Sequence, residues 1–348
     1  MSPYVLTVLL LSLGLGTVTT FASSHWLLAW MGLEINTLAI IPLMAQHHHP
    51  RAMEAATKYF LVQATAAAMI LFASTMNAWT TGEWNISSLP NPFANVTLTI
   101  ALALKIGMAP MHLWMPEILQ GLDLFTGLVM STWQKLAPFA LIVQTTQATS
   151  PALLASLGLF SSLIGGWSGL NQTQLRKILA YSSIAHMGWM VIVLQYSPQL
   201  TMIALGLYVS TTSAAFLTLK ALTSTKINTL TMAWSKSPTL TSISLLTLLS
   251  LGGLPPLTGF MSKWLIMQEL AKQDLPTMAT IMALTALLSL FFYLRLCHAI
   301  TLTLSPNTNN FTPQWRALNT QPSLPVALAV MVAIGLLPLT PAILMMAP

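Results

Sequence analysis

The chain is 348 residues long, 55% hydrophobic and only 6% charged, with a mean hydropathy of +0.73. A soluble domain carries roughly 25% charged residues, so these few charges cannot cover a water-facing surface and the solvent must be lipid. The net charge of +6 comes from thirteen cations scattered along the chain, which form no nucleic-acid patch, and the single Cys297 excludes both a disulfide framework and a cysteine-ligated iron–sulfur cluster.

About 20 apolar residues cross a hydrocarbon core. On that measure the sequence predicts an all-α polytopic protein with eleven spans, over 3–22, 25–45, 58–79, 97–117, 123–146, 151–171, 178–196, 200–222, 239–270, 275–298 and 324–345. The first segment lacks a basic n-region and is long enough to span, so it reads as a retained helix and not a cleaved signal. Short polar connectors separate the spans, and none is long enough to hold a soluble domain. Connectors on the N-terminal side hold Arg51, Lys58, Arg176, Lys177, Lys226, Lys236 and Arg316; the opposite ones hold only Lys272, flanked by Glu269 and Asp274. That segregation predicts an N-terminus on the cytoplasmic or matrix side and, for an odd number of spans, a C-terminus across the membrane. Trp26, Trp79 and Trp84 fall near the predicted interfaces.

Most ionisable residues lie in loops or near helix ends, where long side chains such as those of Lys220 and Arg295 snorkel to water. Glu117 and Asp123 flank helix ends. Five residues are not so placed: Glu34 in the second predicted span, Lys105 in the fourth, Lys135 in the fifth, His186 in the seventh and Lys263 in the ninth. A lysine at a helix centre costs about 2.5–3.5 kcal/mol on insertion scales. Structural ion pairing explains one such residue, and Glu34 with Lys105 makes a natural pair, but three lysines facing one carboxylate fit a proton or cation relay better. Desolvation disfavours an ammonium and brings lysine into a range where it exchanges protons, which a nearby carboxylate reverses. His186 and His112 are candidate intermediate carriers, since imidazole titrates near neutrality; a lone histidine inside a span serves equally well as an interhelical hydrogen-bond donor. The run His47-His48-His49 ends at Pro50 in a short interfacial loop. Its consecutive side chains point in different directions, and no metal site is predicted.

Two spans are interrupted. In "LSLGGLPPLTGFMSKW" the breakers Gly252, Gly253, Pro255, Pro256 and Gly259 precede Lys263; in "LALKIGMAPMHLWMPE" Gly107, Pro110 and Pro116 follow Lys105. Irregular backbone at membrane depth survives only where protein or a water-filled cavity satisfies it, and paired interruptions in corresponding halves mark inverted repeats. The two broken spans are each fourth in a set of five, which predicts inverted five-helix repeats at 1–147 and 148–298 within one membrane domain. Residues 299–348 then form a loop and a C-terminal helix.

The runs "KIGMAPMHLWMPEI", "LGGLPPLTGFMSKW", "MGLEINTLAIIPLM" and "LRKILAYSSIAHMGWM", with Glu34 and Lys135, resemble the antiporter-like membrane subunits of respiratory complex I. The resemblance covers the whole chain. It implies an inner mitochondrial membrane location, with the N-terminus in the matrix and the C-terminus in the intermembrane space, and a part in coupling NADH oxidation and quinone reduction to proton translocation. It assigns Glu34 and Lys105 to an interacting glutamate–lysine pair, Lys135 to a central lysine that passes protons on, and Lys263 to the second broken helix near the exit. His112 and His186 join the hydrated axis between them. It also implies that NADH, flavin, iron–sulfur clusters and ubiquinone belong to other subunits. The implied neighbours are another antiporter-like subunit, a small membrane subunit bearing intramembrane carboxylates, and lipid. Bacterial relatives typically have fourteen helices, so the chain resembles a form lacking three at the N-terminus. A stand-alone cation/proton antiporter and a membrane scaffold whose charges only pair helices are the alternatives. The sequons at Asn85 and Asn95 would carry glycan only in a secretory-pathway membrane.

Overall fold

The computed structural model describes residues 2–46, 49–235, 237–302 and 323–346. His47, His48, Lys236 and the connector with Arg316 lie outside them. Among the described residues all regular structure is helical. The chain divides into two compact units, 1–160 and 161–348.

The first unit holds α1 (Pro3–Ala22), α2 (Trp26–Met44), α3 (Pro50–Thr81), α4 (Pro92–Ile106), α5 (Trp114–Gly121), α6 (Leu124–Ser131) and α7 (Trp133–Thr145). The division falls inside α8 (Pro151–Gly169). The second unit continues with α9 (Leu175–Val193), α10 (Pro198–Ala221), the short α11 (Ile227–Thr231), α12 (Pro238–Gly252), α13 (Thr258–Lys272), α14 (Pro276–Leu302), α15 (Ser323–Gly335) and α16 (Thr340–Met346).

Seven of these helices open on a proline: Pro3, Pro50, Pro92, Pro151, Pro198, Pro238 and Pro276. At the first helical position proline gives up only an N–H that has no intrahelical partner, and its fixed φ already suits the helix. Asn91 adds a side-chain cap, accepting from the Phe93 N–H at 3.1 Å.

Six helices are by themselves long and apolar enough to cross a bilayer: α1, α2, α3, α8, α10 and α14. The fourth and ninth predicted spans are each two helices, α4 with α5 and α12 with α13. The fifth, expected as one helix over 123–146, is also divided, at Thr132 between α6 and α7. Pro138 lies inside α7; its missing N–H and its ring disrupt the backbone around the Gln134 carbonyl, one turn upstream. The C-terminal segment, expected as one helix over 324–345, is broken after Gly335 and resumes through a 3-10 turn at Leu337–Leu339 that contains Pro338.

Lipid supplies no hydrophobic drive between helices, so close packing through small residues must hold them together. In the first unit α1 meets α2 at Gly16 and Gly32, where a Cβ on either would come 2.9 Å from the other's carbonyl oxygen. The Trp30 indole N–H donates to the Ala67 carbonyl of α3 at 3.1 Å. On the exposed end of α3, Lys58 bridges Glu54 at 2.9 Å and Glu117 of α5 at 2.8 Å. In the second unit α9 is the most enclosed helix, with an unbroken buried run from Met187 to Val193. Arg295 does not snorkel as expected. Its guanidinium donates to the Leu170 and Gln172 carbonyls after α8, because the planar fork of donors satisfies the carbonyls orphaned at a helix end.

Candidate functional site

Each unit contains one helix broken in the same way. In the first, α4 ends on Gly107 at φ 83°. The Gly107 N–H donates to the Leu104 carbonyl at 3.1 Å and the Met108 N–H to the Ala103 carbonyl at 2.9 Å. In the second, α12 ends on Gly253 at φ 81°, whose N–H donates to the Ser250 carbonyl at 2.9 Å while the Leu254 N–H donates to the Leu249 carbonyl at 3.4 Å. This paired closure is the Schellman motif, and glycine provides the left-handed residue it needs. The prolines then act as stops: Pro110, joined to Ala109 by a cis bond, and Pro255-Pro256 lie in the segments before α5 and α13 resume. Pro116 lies inside α5.

A break leaves last-turn carbonyls without helical partners, and the two units satisfy them differently. In the first, a neutral side chain does so: Gln63 of α3 reaches the Lys105 carbonyl at 3.5 Å, while the Trp114 indole adds a second donor, at 3.2 Å, to the Leu104 carbonyl that the Gly107 N–H already holds. The Lys105 ammonium, buried at 5% exposure, has no hydrogen-bond partner among the described residues. In the second unit the lysine itself is the donor: Lys263, the sixth residue of α13, gives Nζ–H to the Gly252 carbonyl at 2.8 Å.

Lys105 opens onto a small cavity that Lys135 also lines, together with Asn36, Thr37, Tyr59, Gln63, Gln134 and Pro138. Lys135, 2% exposed, stands three residues past the Thr132 interruption. Both polar atoms of the Asn36 amide and the Gln134 side-chain NH2 are buried with no protein partner. A polar cavity with such groups is the setting in which buried water is held.

Glu34 is half-buried on α2 and does not line this cavity, although Leu33, Asn36 and Thr37 beside it do. Its carboxylate accepts from the Thr37 hydroxyl at 3.1 Å. Among the described residues Glu34 and Lys105 form neither an ion pair nor a hydrogen bond, so the expected pair is not in direct contact. His112 is buried in the segment between α4 and α5, its Nδ1 3.2 Å from the Pro110 carbonyl, and stands apart from the cavity lining.

A second small cavity joins Lys263 to His186, with Tyr208, Thr211, Gly259 and Ser262 around them. The His186 ring sits 5.7 Å from that of Tyr208, tilted by 45°. Gly259 matters here for close approach: a Cβ on it would run into the Ser250 carbonyl oxygen. The neutral residues Asn36, Tyr59, Gln63, Gln134 and Tyr208 were not among the residues expected from sequence. Only Gln134, beside Lys135 and four residues before Pro138, carried a local signal.

The arrangement is that of antiporter-like membrane proteins, helical units whose interrupted helices bring lysines to internal cavities. The chain belongs to the NADH:quinone oxidoreductase/Mrp antiporter membrane family, whose model matches residues 23–289. A second model, the NADH dehydrogenase subunit 2 C-terminus, matches residues 290–344. Proteins named NADH-ubiquinone oxidoreductase chain 2 are 73% identical in Danio rerio, over 99% of both chains, and 66% identical in Oncorhynchus mykiss, over 99% of this chain and 98% of the relative. Among solved structures, a chain of respiratory complex I from Thermus thermophilus matches with a TM-score of 0.84 and 30% identity, over 99% of this chain and 79% of that one. A chain of the Mrp complex from Dietzia sp. shares the fold at a TM-score of 0.83 and 16% identity, over 96% and 75%.

Proposed function

We infer that the chain is a proton-translocating membrane subunit of respiratory complex I, contributing proton transfer to a machine whose redox chemistry lies in other subunits. The observation that carries this reading, beside the high identity to proteins of that name, is the pair of lysine cavities next to broken helices. A buried ammonium in a low-dielectric site is costly unless its protonation can change, and Lys105 and Lys263 are both buried beside such cavities.

In the first unit, Glu34 biases Lys105 electrostatically, and Lys105 exchanges a proton with Lys135 through the cavity they share. His112, in the segment beyond α4, takes up or releases that proton toward the surface. In the second unit, His186 and Lys263 form the corresponding couple. Moving one charge across the membrane involves about 2.3 kcal/mol per 100 mV. A lysine relay must therefore switch its affinity for protons by more than about one unit of pKa, which is 1.36 kcal/mol.

The same reading gives the finer topology. Eleven crossings in two inverted five-helix repeats, 1–147 and 148–298, are followed by a loop and C-terminal helix. The membrane is the mitochondrial inner membrane, and the cation-rich connectors face the matrix with the N-terminus, following the positive-inside bias. The neighbours are a second antiporter-like subunit and a small carboxylate-bearing membrane subunit, with lipid filling the remaining faces. NADH, flavin, iron–sulfur clusters and ubiquinone are held by other subunits.

The fold likeness to the Mrp complex chain favours one rival, a free-standing cation/proton antiporter. Native-gel separation of gently solubilised membranes, stained in the gel for NADH oxidation, tells them apart. The complex I subunit migrates with a large NADH-oxidising band, whereas migration near 38 kDa plus detergent leaves the antiporter. A scaffold reading predicts that Lys135→Met prevents assembly; the relay reading predicts an assembled complex with impaired pumping.

A further inference from the structure

The C-terminal helix enters the second unit's break. The Ala333 carbonyl lies in the last turn of α15, where the helix ends at Gly335, so it has no regular intrahelical partner. It accepts two hydroxyl hydrogen bonds, from Ser250 at 2.7 Å and from Thr258. Ser250 belongs to the last turn of α12 and Thr258 is the first residue of α13, so the two donors come from opposite sides of the interruption. The two hydroxyl oxygens are 3.3 Å apart, and Ser250, Thr258 and Ala333 are all fully buried.

Lys263 follows Thr258 by little more than one helical turn, and Gly252, whose carbonyl it holds at 2.8 Å, follows Ser250 by two residues. We propose that Ser250 and Thr258 are positioning residues that pin both halves of the broken helix to the Ala333 carbonyl and thereby set Lys263 against Gly252. Neither touches the Lys263 ammonium in the contacts described above, so they act through the backbone that carries it. The C-terminal helix is then part of the second lysine site and not only an appended membrane anchor.

This inference rests on Lys263 being a proton carrier, so its test includes Lys263→Met as a reference. Intact complex carrying Thr258→Val or Ser250→Ala is reconstituted in vesicles, and pumped protons per NADH are followed across pH. The clamp predicts assembled, NADH-oxidising complex with a lowered pumping ratio. The pH dependence of pumping should shift, and Thr258→Ser, which keeps the hydroxyl, should restore both. If Lys263→Met impairs pumping while Thr258→Val and Ser250→Ala leave ratio and pH profile unchanged, the clamp is overturned and the relay stands. If Lys263→Met changes nothing, the Lys263 assignment falls, and the clamp is decided by a structure of the Thr258→Val complex. Retention of the Lys263–Gly252 contact there overturns it, and its loss upholds it. Should Thr258→Val fail to assemble, Thr258→Ser and Ser250→Ala carry the same test, and a wild-type pH profile for Ser250→Ala then overturns the proposal.

Discussion

The two broken helices begin from the same backbone event and end in different chemistry. Gly107 and Gly253 close their helices with the same pair of hydrogen bonds and nearly the same φ. In the first unit the freed Lys105 carbonyl is taken by Gln63, with Trp114 reinforcing the turn at Leu104, and the Lys105 ammonium faces a polar cavity. In the second unit Lys263 is itself the cap on the freed Gly252 carbonyl. The lesson is one of position relative to the break. Lys105 precedes its glycine within α4, whereas Lys263 follows its glycine by ten residues, on the half-helix after the break. A break provides acceptors as well as room, and the residue after the turn is the one that can reach back to them.

Substitutions can break or sharpen that contrast. The largest effect is expected at Gly259, where a Cβ meets the Ser250 carbonyl, a backbone group that cannot swing away. Gly259→Ala should cost more than the ~1–3 kcal/mol of ordinary overpacking and appear as lost assembled complex on a native gel; normal assembly would mean that the two half-helices are not packed this closely. Next come the lysines. Lys263→Met strands the Gly252 carbonyl and should lower thermal stability by about 1–3 kcal/mol. Lys105→Met removes an ammonium with no hydrogen-bond partner and should leave the melting temperature unchanged or raised. Equal destabilisation by both would erase the difference between the units. Smaller effects are expected at the shared turns, where Gly107→Ala and Gly253→Ala each place a Cβ in the left-handed region at about 1–2 kcal/mol, with Gly253→Ala the more costly because its Cβ would come within 3.0 Å of Lys263 Nζ. The smallest is Gln63→Leu, which gives up one long hydrogen bond to the Lys105 carbonyl and should cost about 0.5 kcal/mol by thermal melting.

Much of the helix punctuation was readable in the sequence because its signals are local. Proline opens seven helices, and Gly107 and Gly253 sit at the start of segments rich in proline, so composition alone places those interruptions. The division at Thr132 was missed although Pro138 announces it, since "LVMSTWQKLAPFALI" also satisfies the length and hydropathy of an unbroken span. The buried lysines were readable because charge is rare in this chain. The side chains around them were not. Asn36, Tyr59, Gln63 and Gln134 are neutral, follow no periodicity, and converge only through the packing of α2, α3 and α7. The Glu34–Lys105 pairing was inferred from complementary charge, but side-chain direction on packed helices decides contact, and here it leaves the carboxylate with Thr37. The Ser250–Thr258–Ala333 clamp was beyond reach for another reason. Its acceptor is a main-chain carbonyl 75 and 83 residues away, and a carbonyl has no residue type by which to recognise it.

The central proposal is that Lys105 carries a proton in the relay. The most direct measurement is the ratio of protons pumped to NADH oxidised by intact complex carrying Lys105→Met, reconstituted in sealed vesicles, alongside its melting temperature. The account predicts undiminished thermal stability with a clearly lowered pumping ratio. An unchanged ratio, or a loss of stability that accounts for the loss of pumping, would contradict it.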